Sequence, residues 1–283
     1  MPPNGLALCA IALWATLAAL SVALAHLPPF LLTGAALLIG SLPGCLSALR
    51  QPTLWKVPPG TLAMGVGGLF GYHFLLFIAL RHAPAVQANL VNYLWPLFIV
   101  VLAPLVLPGV ALRPRHLGAA AAGFAGAALA ILGGGAGGAA GGDGGWAWGY
   151  LPAFGAALAW GLYSLLTRRV APFSTAAVGL FALVSGLLSL LCHAVLEPAV
   201  TLGTRDLLLL AAMGLGPLGA AFYLWDAALK RGDPRQIGVL SYFTPLASTA
   251  LLLATTGQAW HWSLAAAALL ILGGAFVATR SRN

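Results

Sequence analysis

A segment of the chain recurs without a gap 149 positions later, and this internal repeat limits the possible architectures more than any other feature. Residues 63–97 align with residues 212–246, and 12 of the 35 paired positions are identical. An internal duplication in a very apolar chain is typical of a transporter that is built from two copies of one helical unit. The identical pairs include Gln87 with Gln236, Tyr93 with Tyr242, and Pro96 with Pro245.

Charged side chains are too few to cover a water-soluble domain of this length. They make up 6% of the 283 residues, whereas 61% are hydrophobic, and soluble domains average about 25% charged residues. Most of the chain must therefore face lipid or other membrane helices. The 13 Lys and Arg are scattered in ones and twos, so the net charge of +8 does not indicate nucleic-acid binding. Cys9, Cys45 and Cys192 lie in separate apolar runs without a His partner, so we expect no metal site, disulfide or cofactor.

Ten apolar runs are each long enough to cross a bilayer core about 30 Å thick. The N-terminus lacks a basic region, so the first run is expected to be a retained span rather than a cleaved signal. Residues 135–146 are nearly all Gly and Ala, which predicts a flexible linker between a first repeat at 1–134 and a second at 147–283. The predicted spans are 4–25, 29–48, 59–80, 85–107, 116–134, 147–167, 173–196, 206–229, 235–256 and 260–279.

The placement of basic residues predicts how these spans cross the membrane. With both termini in the cytoplasm, 11 of the 13 Lys and Arg fall on the cytoplasmic side, and only Arg81 and Arg205 fall outside. This bias agrees with the positive-inside rule. Because each repeat then holds five spans, the second repeat must enter the membrane in the opposite sense to the first. The predicted fold is therefore an all-α integral membrane protein with two inverted five-helix repeats around a central cavity.

Pro96 and Pro245 lie within predicted spans at equivalent positions of the repeat. Each removes a backbone N–H and frees the carbonyl four residues earlier, here those of Asn92 and Ser241. A free carbonyl at membrane depth must pack against protein or face water. The functional interpretation is that both kinks border one cavity and take part in gating, and the alternative is a bend needed only for packing.

Aromatic and amide side chains deep in the predicted spans are candidates for binding a substrate. A cavity lined by Trp, Tyr and amides suits small zwitterions with bulky side chains, through stacking and cation–π contacts. The alternatives are that the aromatics only fill the core and that the amides only join neighbouring helices. The candidates are Trp14, Tyr72, His73, Asn89, Asn92 and Trp95 in the first repeat, and Trp160, Tyr163, Tyr223 and Tyr242 in the second.

Few other residues within the spans carry chemistry. Asp226 is expected to pair with Lys230 one helical turn later, and His73 is a lone ionisable group near mid-membrane. The glycines from Gly65 to Gly71 follow no predicted strand, so they indicate close helix packing of the GxxxG type at Gly67 and Gly71 rather than a phosphate loop.

Two stretches of sequence in each repeat resemble the EamA family of the drug/metabolite transporter superfamily. In the first repeat they are Ala79-Leu80-Arg81 and Asn92-Tyr93-Leu94-Trp95-Pro96, and in the second they are residues 225–232 and 241–245. The Asn-Tyr-Leu-Trp-Pro form is most similar to that family's YddG-type aromatic amino acid exporters. Many members carry Glu after the fourth and ninth spans, where this chain has Gly109-Val110 and Gly257-Gln258.

The resemblance implies a bacterial inner-membrane exporter of amino acids and related metabolites, and we expect the protein to be a monomer or a homodimer. Aromatic rings would hold the apolar side chain, Asn92 would meet the ammonium, and phenol and imidazole donors would meet the carboxylate. A nucleotide-sugar or drug-like-cation transporter, or a channel, is the alternative. A membrane enzyme is not expected, because no acid–base pair, nucleophile or metal set is apparent.

Overall fold

The computed structural model describes residues 1–133, 148–256 and 262–279, and these residues form helices and connecting segments without a strand. The first half contains α1 (Pro3–Ala15), α2 (Leu17–Ala23), α3 (Pro29–Arg50), α4 (Pro59–Val66), α5 (Tyr72–His82), α6 (Ala85–Asn92), α7 (Trp95–Val106) and α8 (Pro114–Gly133). The second half contains α9 (Tyr150–Leu166), α10 (Val178–Leu196), α11 (Thr204–Leu215), α12 (Ala221–Arg231), α13 (Pro234–Leu240), α14 (Phe243–Thr256) and α15 (Trp262–Thr279). The predicted linker 135–146 and the Gly257-Gln258 pair lie outside the described residues.

Seven helical stretches of the described chain are long and apolar enough to cross a membrane. Two shorter apolar helices, Tyr150–Leu166 and Trp262–Ala278, correspond to the sixth and tenth predicted spans. The ninth predicted span, 235–256, contains most of α13 and α14. The count of ten spans and the cytoplasmic position of the termini stay predictions. The seven stretches are Pro3–Ala23, Pro29–Arg50, Pro59–His82, Gln87–Val106, Pro114–Leu132, Thr175–Leu196 and Thr204–Arg231.

Prolines begin several of these helices. Pro29, Pro59 and Pro234 occupy the first turns of α3, α4 and α13, where a missing N–H costs nothing and the fixed φ favours the helix. Asp233 caps α13 by accepting from the Arg235 N–H at 2.9 Å. Burial alone would raise the pKa of the Asp233 carboxyl, but its hydrogen bonds and ion pair with Arg235 lower it overall.

Three predicted spans are interrupted rather than continuous. The first breaks at Thr16, whose hydroxyl and amide both donate to the Leu13 carbonyl, at 2.7 and 3.1 Å. The fourth breaks between α6 and α7, just before Pro96, and the ninth breaks between α13 and α14, just before Pro245. A proline cannot donate to the preceding turn, so the chain turns tightly there before the next helix begins.

Two π-helical turns lie at equivalent positions of the repeat. One spans Gly67–Gly71 and the other spans Gly216–Ala220, so their bounds differ by the 149 residues that separate the repeated segments. The helices that follow, α5 and α12, keep the same spacing at both ends. A π turn adds a residue to one helical turn and leaves backbone groups unpaired, and such turns are frequent at functional sites.

The glycines around the first π turn differ from the predicted packing motif. A Cβ at Gly67 or Gly71 would meet nothing within 4 Å, so the predicted GxxxG contact is wrong. Gly65 and Gly68 make the close contacts instead, because a Cβ there would lie 2.3 Å from the ring carbons of Phe181 and Tyr163, respectively. The residue type indicated close packing, but the π turn rotates Gly67 and Gly71 away from the neighbouring helices.

Helices of the first half pack closely against helices of the second half. The most extensive contacts join α3 to α10, α8 to α15 and α1 to α12. The α3–α10 pair is close enough that a Cβ on Gly44 would lie 2.6 Å from the Gly179 Cα. This arrangement brings α1 to the centre of the described molecule, against α12 and α14 of the second half.

The connection between α7 and α8 contains a glycine with a left-handed backbone conformation. Gly109 there has a φ of 76°, a backbone conformation that residues with a Cβ rarely adopt. A Glu at this position would strain the turn as it is built in this chain.

Candidate functional site

A cavity of about 630 Å³ is lined by residues of α1, α2, α3, α5, α6, α7, α9, α11, α12 and α14. It is open at one end, where the lining residues Ala25, Arg81 and Ala85 are exposed near the ends of their helices. The lining residues near the middle of the molecule, such as Trp14 and Trp160, are buried. The volume and the largely apolar wall are typical of a small-molecule site.

Five aromatic rings close the inner end of the cavity, and we call them the aromatic floor: Trp14, Trp95, Trp160, Phe222 and Trp225. The Trp14 ring lies at the centre of the group, with its centroid 5.1 Å from that of Trp225 and 5.8 Å from that of Trp160. The Trp95 centroid is 6.3 Å from the Trp14 centroid in an edge-to-face arrangement. These separations are favourable for aromatic pairs, so the floor is a packed layer rather than a set of mobile side chains.

Both π turns supply backbone carbonyls to the rings that line the cavity. The Trp14 indole Nε1–H donates to the Pro217 carbonyl at 3.1 Å. The His73 Nδ1 lies 2.7 Å from the Leu69 carbonyl, and since a carbonyl only accepts, Nδ1 carries the hydrogen. In the neutral ring the lone pair is then at Nε2. The expected donor role toward a carboxylate would therefore require a protonated His73 ring, and it stays a prediction.

Tyr72 and Asn92 form a polar pair beside His73 in the cavity wall. Asn92 Nδ2 donates to the Tyr72 hydroxyl oxygen at 3.1 Å, which leaves the Tyr72 O–H free to donate elsewhere. Asn92 is 3% exposed, and its Oδ1 is buried with no partner among the described residues. Tyr72, His73 and Asn92, which we call the polar cluster, thus offer one donor and two acceptors next to the aromatic floor.

Seven of the ten predicted substrate-binding residues line this cavity. The polar cluster, three of the Trp residues in the floor and the exposed Asn89 come from five different helices, so only the tertiary structure brings them together. The seven are Trp14, Tyr72, His73, Asn89, Asn92, Trp95 and Trp160.

The other three predicted residues do not line the cavity and serve as packing groups. Tyr163 is 2% exposed, and its ring packs under Gly68 and against Trp160. The Tyr223 hydroxyl bridges two turns of α3, accepting from the Gly44 N–H at 3.2 Å and donating to the Gly40 carbonyl at 3.0 Å.

Tyr242 also lies away from the cavity, in a fully buried position between α8 and α14. Its ring packs edge-on to Phe124, with 6.5 Å between centroids, and close to Gly123. Helical spacing had indicated that these tyrosines are deep in the membrane, which is consistent with their burial. It could not indicate which buried face of each helix meets the cavity.

The two prolines behave differently from one another. Pro96 is the second residue of α7 and directly follows Trp95 of the aromatic floor, so its break does border the cavity. Near Pro245 the expected free carbonyl of Ser241 accepts from the Thr244 N–H at 3.0 Å, because the chain tightens to a three-residue turn there. Thr244 and Ser248 on α14 nevertheless line the cavity.

Sequence reasoning missed several lining residues that the repeat itself pointed to. Phe222 is the repeat equivalent of His73, and Thr244 is the repeat equivalent of Trp95. Both line the cavity, as do their equivalents. Arg81, at the open end, was the other important omission.

A buried ion pair lies beyond the aromatic floor, on the side away from the cavity mouth. The Asp226 carboxylate, fully buried, accepts from the Lys230 ammonium at 2.7 Å and from the Thr175 hydroxyl at 2.6 Å, so the expected pairing is confirmed. Lys230 also donates to the Phe173 carbonyl and lies 3.5 Å from the centre of the Phe173 ring. These contacts, the inner seal, join α12 to the segment between α9 and α10.

Comparison with known proteins gives two matches to one family across the chain. The sequence model of the EamA-like transporter family matches residues 2–132 and again residues 147–280. The chain is 44% identical to a protein named aromatic amino acid exporter YddG of Ancylobacter novellus, over 95% of this chain and 94% of that one. A protein of the same name from Escherichia coli K12 is 27% identical over the same shares of the two chains.

A solved crystal structure has the same fold. It superposes with a TM-score of 0.87 at 41% identity and covers 98% of this chain and 97% of that chain. The double match, the identity over nearly the whole length and the shared fold agree with the helical structure and its apolar surface. This chain belongs to the EamA-like transporter family.

Proposed function

We propose that this membrane transporter exports aromatic and other apolar amino acids across the bacterial inner membrane. The observation that supports this best is the cavity in which the polar cluster lies against the aromatic floor. The name of the 44% identical relative agrees with a substrate of this kind.

The polar cluster has the groups that a zwitterion needs. In our proposal the ammonium donates to the free Asn92 Oδ1 and to His73 Nε2, and the carboxylate accepts from the Tyr72 O–H. The apolar side chain then packs against Trp14, Trp95 and Trp160, where stacking contributes beyond burial. The cavity lining contains no Lys or Arg near the floor among the described residues, which favours a zwitterion over an anionic nucleotide sugar.

We further propose that the chain has ten spans in two inverted repeats, with both termini in the cytoplasm. The equal spacing of the π turns and of α5 and α12 supports two copies of one unit, as does the double family match. With this topology the cavity mouth faces away from the cytoplasm. The inner seal then closes the cytoplasmic side, and export by alternating access requires the seal to open while the mouth closes.

The function is tested by flux through purified protein in proteoliposomes, with a panel of amino acids and an imposed pH gradient. We expect saturable flux of aromatic amino acids that is stimulated by counter-substrate on the other side. Unitary currents would indicate a channel instead, and saturable flux of other substrate classes alone would reject the proposed specificity.

A matched pair of variants tests the site within the same assay. Asn92→Ala removes the free acceptor of the polar cluster and should raise KM for aromatic amino acids about tenfold, the effect of losing a hydrogen bond to a charged group. Thr61→Ala, a buried polar side chain outside the cavity lining, should leave KM unchanged. Wild-type kinetics in Asn92→Ala would show that the substrate binds elsewhere.

A further inference from the structure

We propose that Arg81 forms an outer subsite at the cavity mouth, which receives the substrate carboxylate separately from the polar cluster. The inference rests on the proposed amino acid specificity and adds a second binding position to it. The amino acid would contact the two positions one after the other on its way through the mouth.

The placement of Arg81 is unlike that of any other cation in the described part of the chain. It lies in the last turn of α5 and lines the cavity, with 46% of its side chain exposed. Among the described lining residues it is the one Lys or Arg, and no Asp or Glu lines the cavity with it. A single cation among the lining residues of a cleft with apolar walls attracts an anionic group, since the field is focused there.

The Glu197 carboxylate, which is not among the lining residues, orients Arg81 and leaves most of its N–H donors unused. Glu197 is 1% exposed and accepts from the Phe30 and Leu31 amides at 3.0 and 3.2 Å and from His193 Nδ1 at 3.0 Å. Its contact with Arg81 is the longest of the four, at 3.4 Å. Glu197 is therefore satisfied by the start of α3 and by α10, and the contact with Arg81 serves to orient the guanidinium.

The Arg81 guanidinium retains hydrogen-bonding capacity for a ligand. An Arg side chain has five N–H donors in a planar fork, and the contact with Glu197 is the one polar contact that the described residues show for it. The unused donors match the bidentate geometry of a carboxylate. A ligand without a carboxylate would lack both the charge attraction and the bidentate hydrogen bonds.

The spacing along α5 separates the outer subsite from the polar cluster. Arg81 follows Tyr72 by nine residues in one helix, a rise of about 13 Å. An amino acid carries its ammonium and carboxylate on one carbon, so it cannot reach both positions at once. An amino acid arriving from the mouth therefore meets Arg81 first, and one that is being exported meets it last.

The test measures how fast a ligand enters the open cavity of the purified full-length protein. Stopped-flow quenching of tryptophan fluorescence gives the association rate of L-phenylalanine and of L-phenylalaninamide, which lacks the carboxylate. We expect Arg81→Gln to slow association of L-phenylalanine about fivefold and to remove most of its salt dependence, because a charge at the rim of a site acts mainly on the on-rate. Association of the amide, a cation that gains no carboxylate contact from Arg81, should be unchanged or faster, and Arg81→Lys should keep the salt dependence.

Arg205→Gln is the matched control. It removes the other positive charge that is predicted on the same side of the membrane, and Arg205 is exposed and does not line the cavity. Equal effects of Arg81→Gln and Arg205→Gln, equal effects on the acid and the amide, or an unchanged association rate would each overturn the subsite. A loss of thermal stability in Arg81→Gln that slows both ligands alike would assign Arg81 a purely structural role.

The outcome for the subsite is distinguishable from the outcome for the function. Wild-type protein that shows no counterflow of aromatic amino acids would reject the proposed function, and the subsite with it. Wild-type counterflow together with an Arg81→Gln protein that binds L-phenylalanine at the wild-type rate would reject the subsite alone.

Discussion

At the scale of single residues, the polar cluster is defined by which hydrogen-bonding atoms the protein has already used. The Tyr72 oxygen is occupied as an acceptor, the Asn92 amide nitrogen as a donor, and His73 Nδ1 as a donor. What remains is one hydroxyl hydrogen and two acceptor atoms. Unpaired polar atoms are costly to bury. A polar ligand that forms hydrogen bonds with this hydrogen and these two acceptors therefore gains the most binding free energy.

Tyr72→Phe tests this arrangement with a small change of volume. The variant removes the donor for the carboxylate and leaves Asn92 Nδ2 without its acceptor, so we expect KM for aromatic amino acids to rise about tenfold. Flux in proteoliposomes measures this effect. Tyr163→Phe is the comparison, since Tyr163 packs beside the floor but outside the cavity lining, and its KM should equal that of the wild type. A larger KM for Tyr163→Phe than for Tyr72→Phe would contradict the assignment of Tyr72 to the binding site.

At the scale of elements, close helix contacts position the walls of the cavity. A Cβ on Gly40 of α3 would lie 2.5 Å from the Leu218 carbonyl oxygen and 2.9 Å from the Gly214 carbonyl oxygen. Both atoms belong to the backbone around the second π turn, so they cannot move aside as a flexible side chain would. We therefore expect Gly40→Ala to destabilise the fold by about 1–3 kcal/mol.

The measurement for Gly40→Ala is the melting temperature in detergent, compared with that of Gly118→Ala. A Cβ at Gly118 would meet nothing within 4 Å, and alanine favours a helix over glycine. Gly118→Ala should accordingly melt at or above the wild-type temperature. If Gly40→Ala melted no lower than Gly118→Ala, the described contact between α3 and the second π turn would be wrong.

The inner seal gives a second prediction at this scale. Asp226→Ala removes one partner of a buried pair, which costs about 3–5 kcal/mol when the other charge is left without compensation. The exposed end of the Lys230 side chain will reduce that cost. We expect faster hydrogen exchange in the segment from Thr175 to Ala177, which Asp226 holds through the Thr175 hydroxyl. Exchange at the wild-type rate there would show that other contacts close the cytoplasmic side.

Sequence patterns predicted the elements better than their interruptions. Helix starts at Pro29, Pro59 and Pro234 follow from local chemistry alone, and so does the pairing of Asp226 with Lys230 one turn away. The break at Thr16 and the π turns do not. Their carbonyls accept from the Thr16 hydroxyl, from His73 in the same helix and from Trp14 of another helix, and helical spacing does not indicate such partners. For the same reason helical spacing could find buried tyrosines but could not separate Tyr72 from Tyr163.

At the scale of the whole molecule, the cavity belongs to neither half alone. Tyr72 and Asn92 come from the first half and Trp160 and Phe222 from the second, and the Trp14 indole of α1 bonds to the second π turn. The repeat predicted such a shared site before any contact was known. The double family match and the equal helix spacing support the underlying duplication, and the opposed membrane orientation of the halves stays a prediction.

Cysteine labelling in intact cells tests the orientation. Single cysteines replacing Arg113 and Arg168 should both be protected from a membrane-impermeant reagent, because the proposed topology places both in the cytoplasm. A cysteine replacing Arg205 should react, since this residue is predicted on the opposite face. If the cysteines at positions 113 and 168 were labelled from different sides of the membrane, the inverted arrangement and the outward direction of the cavity mouth would be rejected.

The paired π turns make the protein sensitive to changes in chain length. Each is equivalent to one extra residue within an α-helix, so excising a single glycine from Gly67–Gly71 would rotate everything downstream by about 100°. Tyr72 and His73 would then leave the cavity wall while α12 kept its phase. Deletion of one codon in one copy would thus leave the two halves with different helix orientations. The insertion that produced these π turns therefore either preceded the duplication or occurred once in each copy.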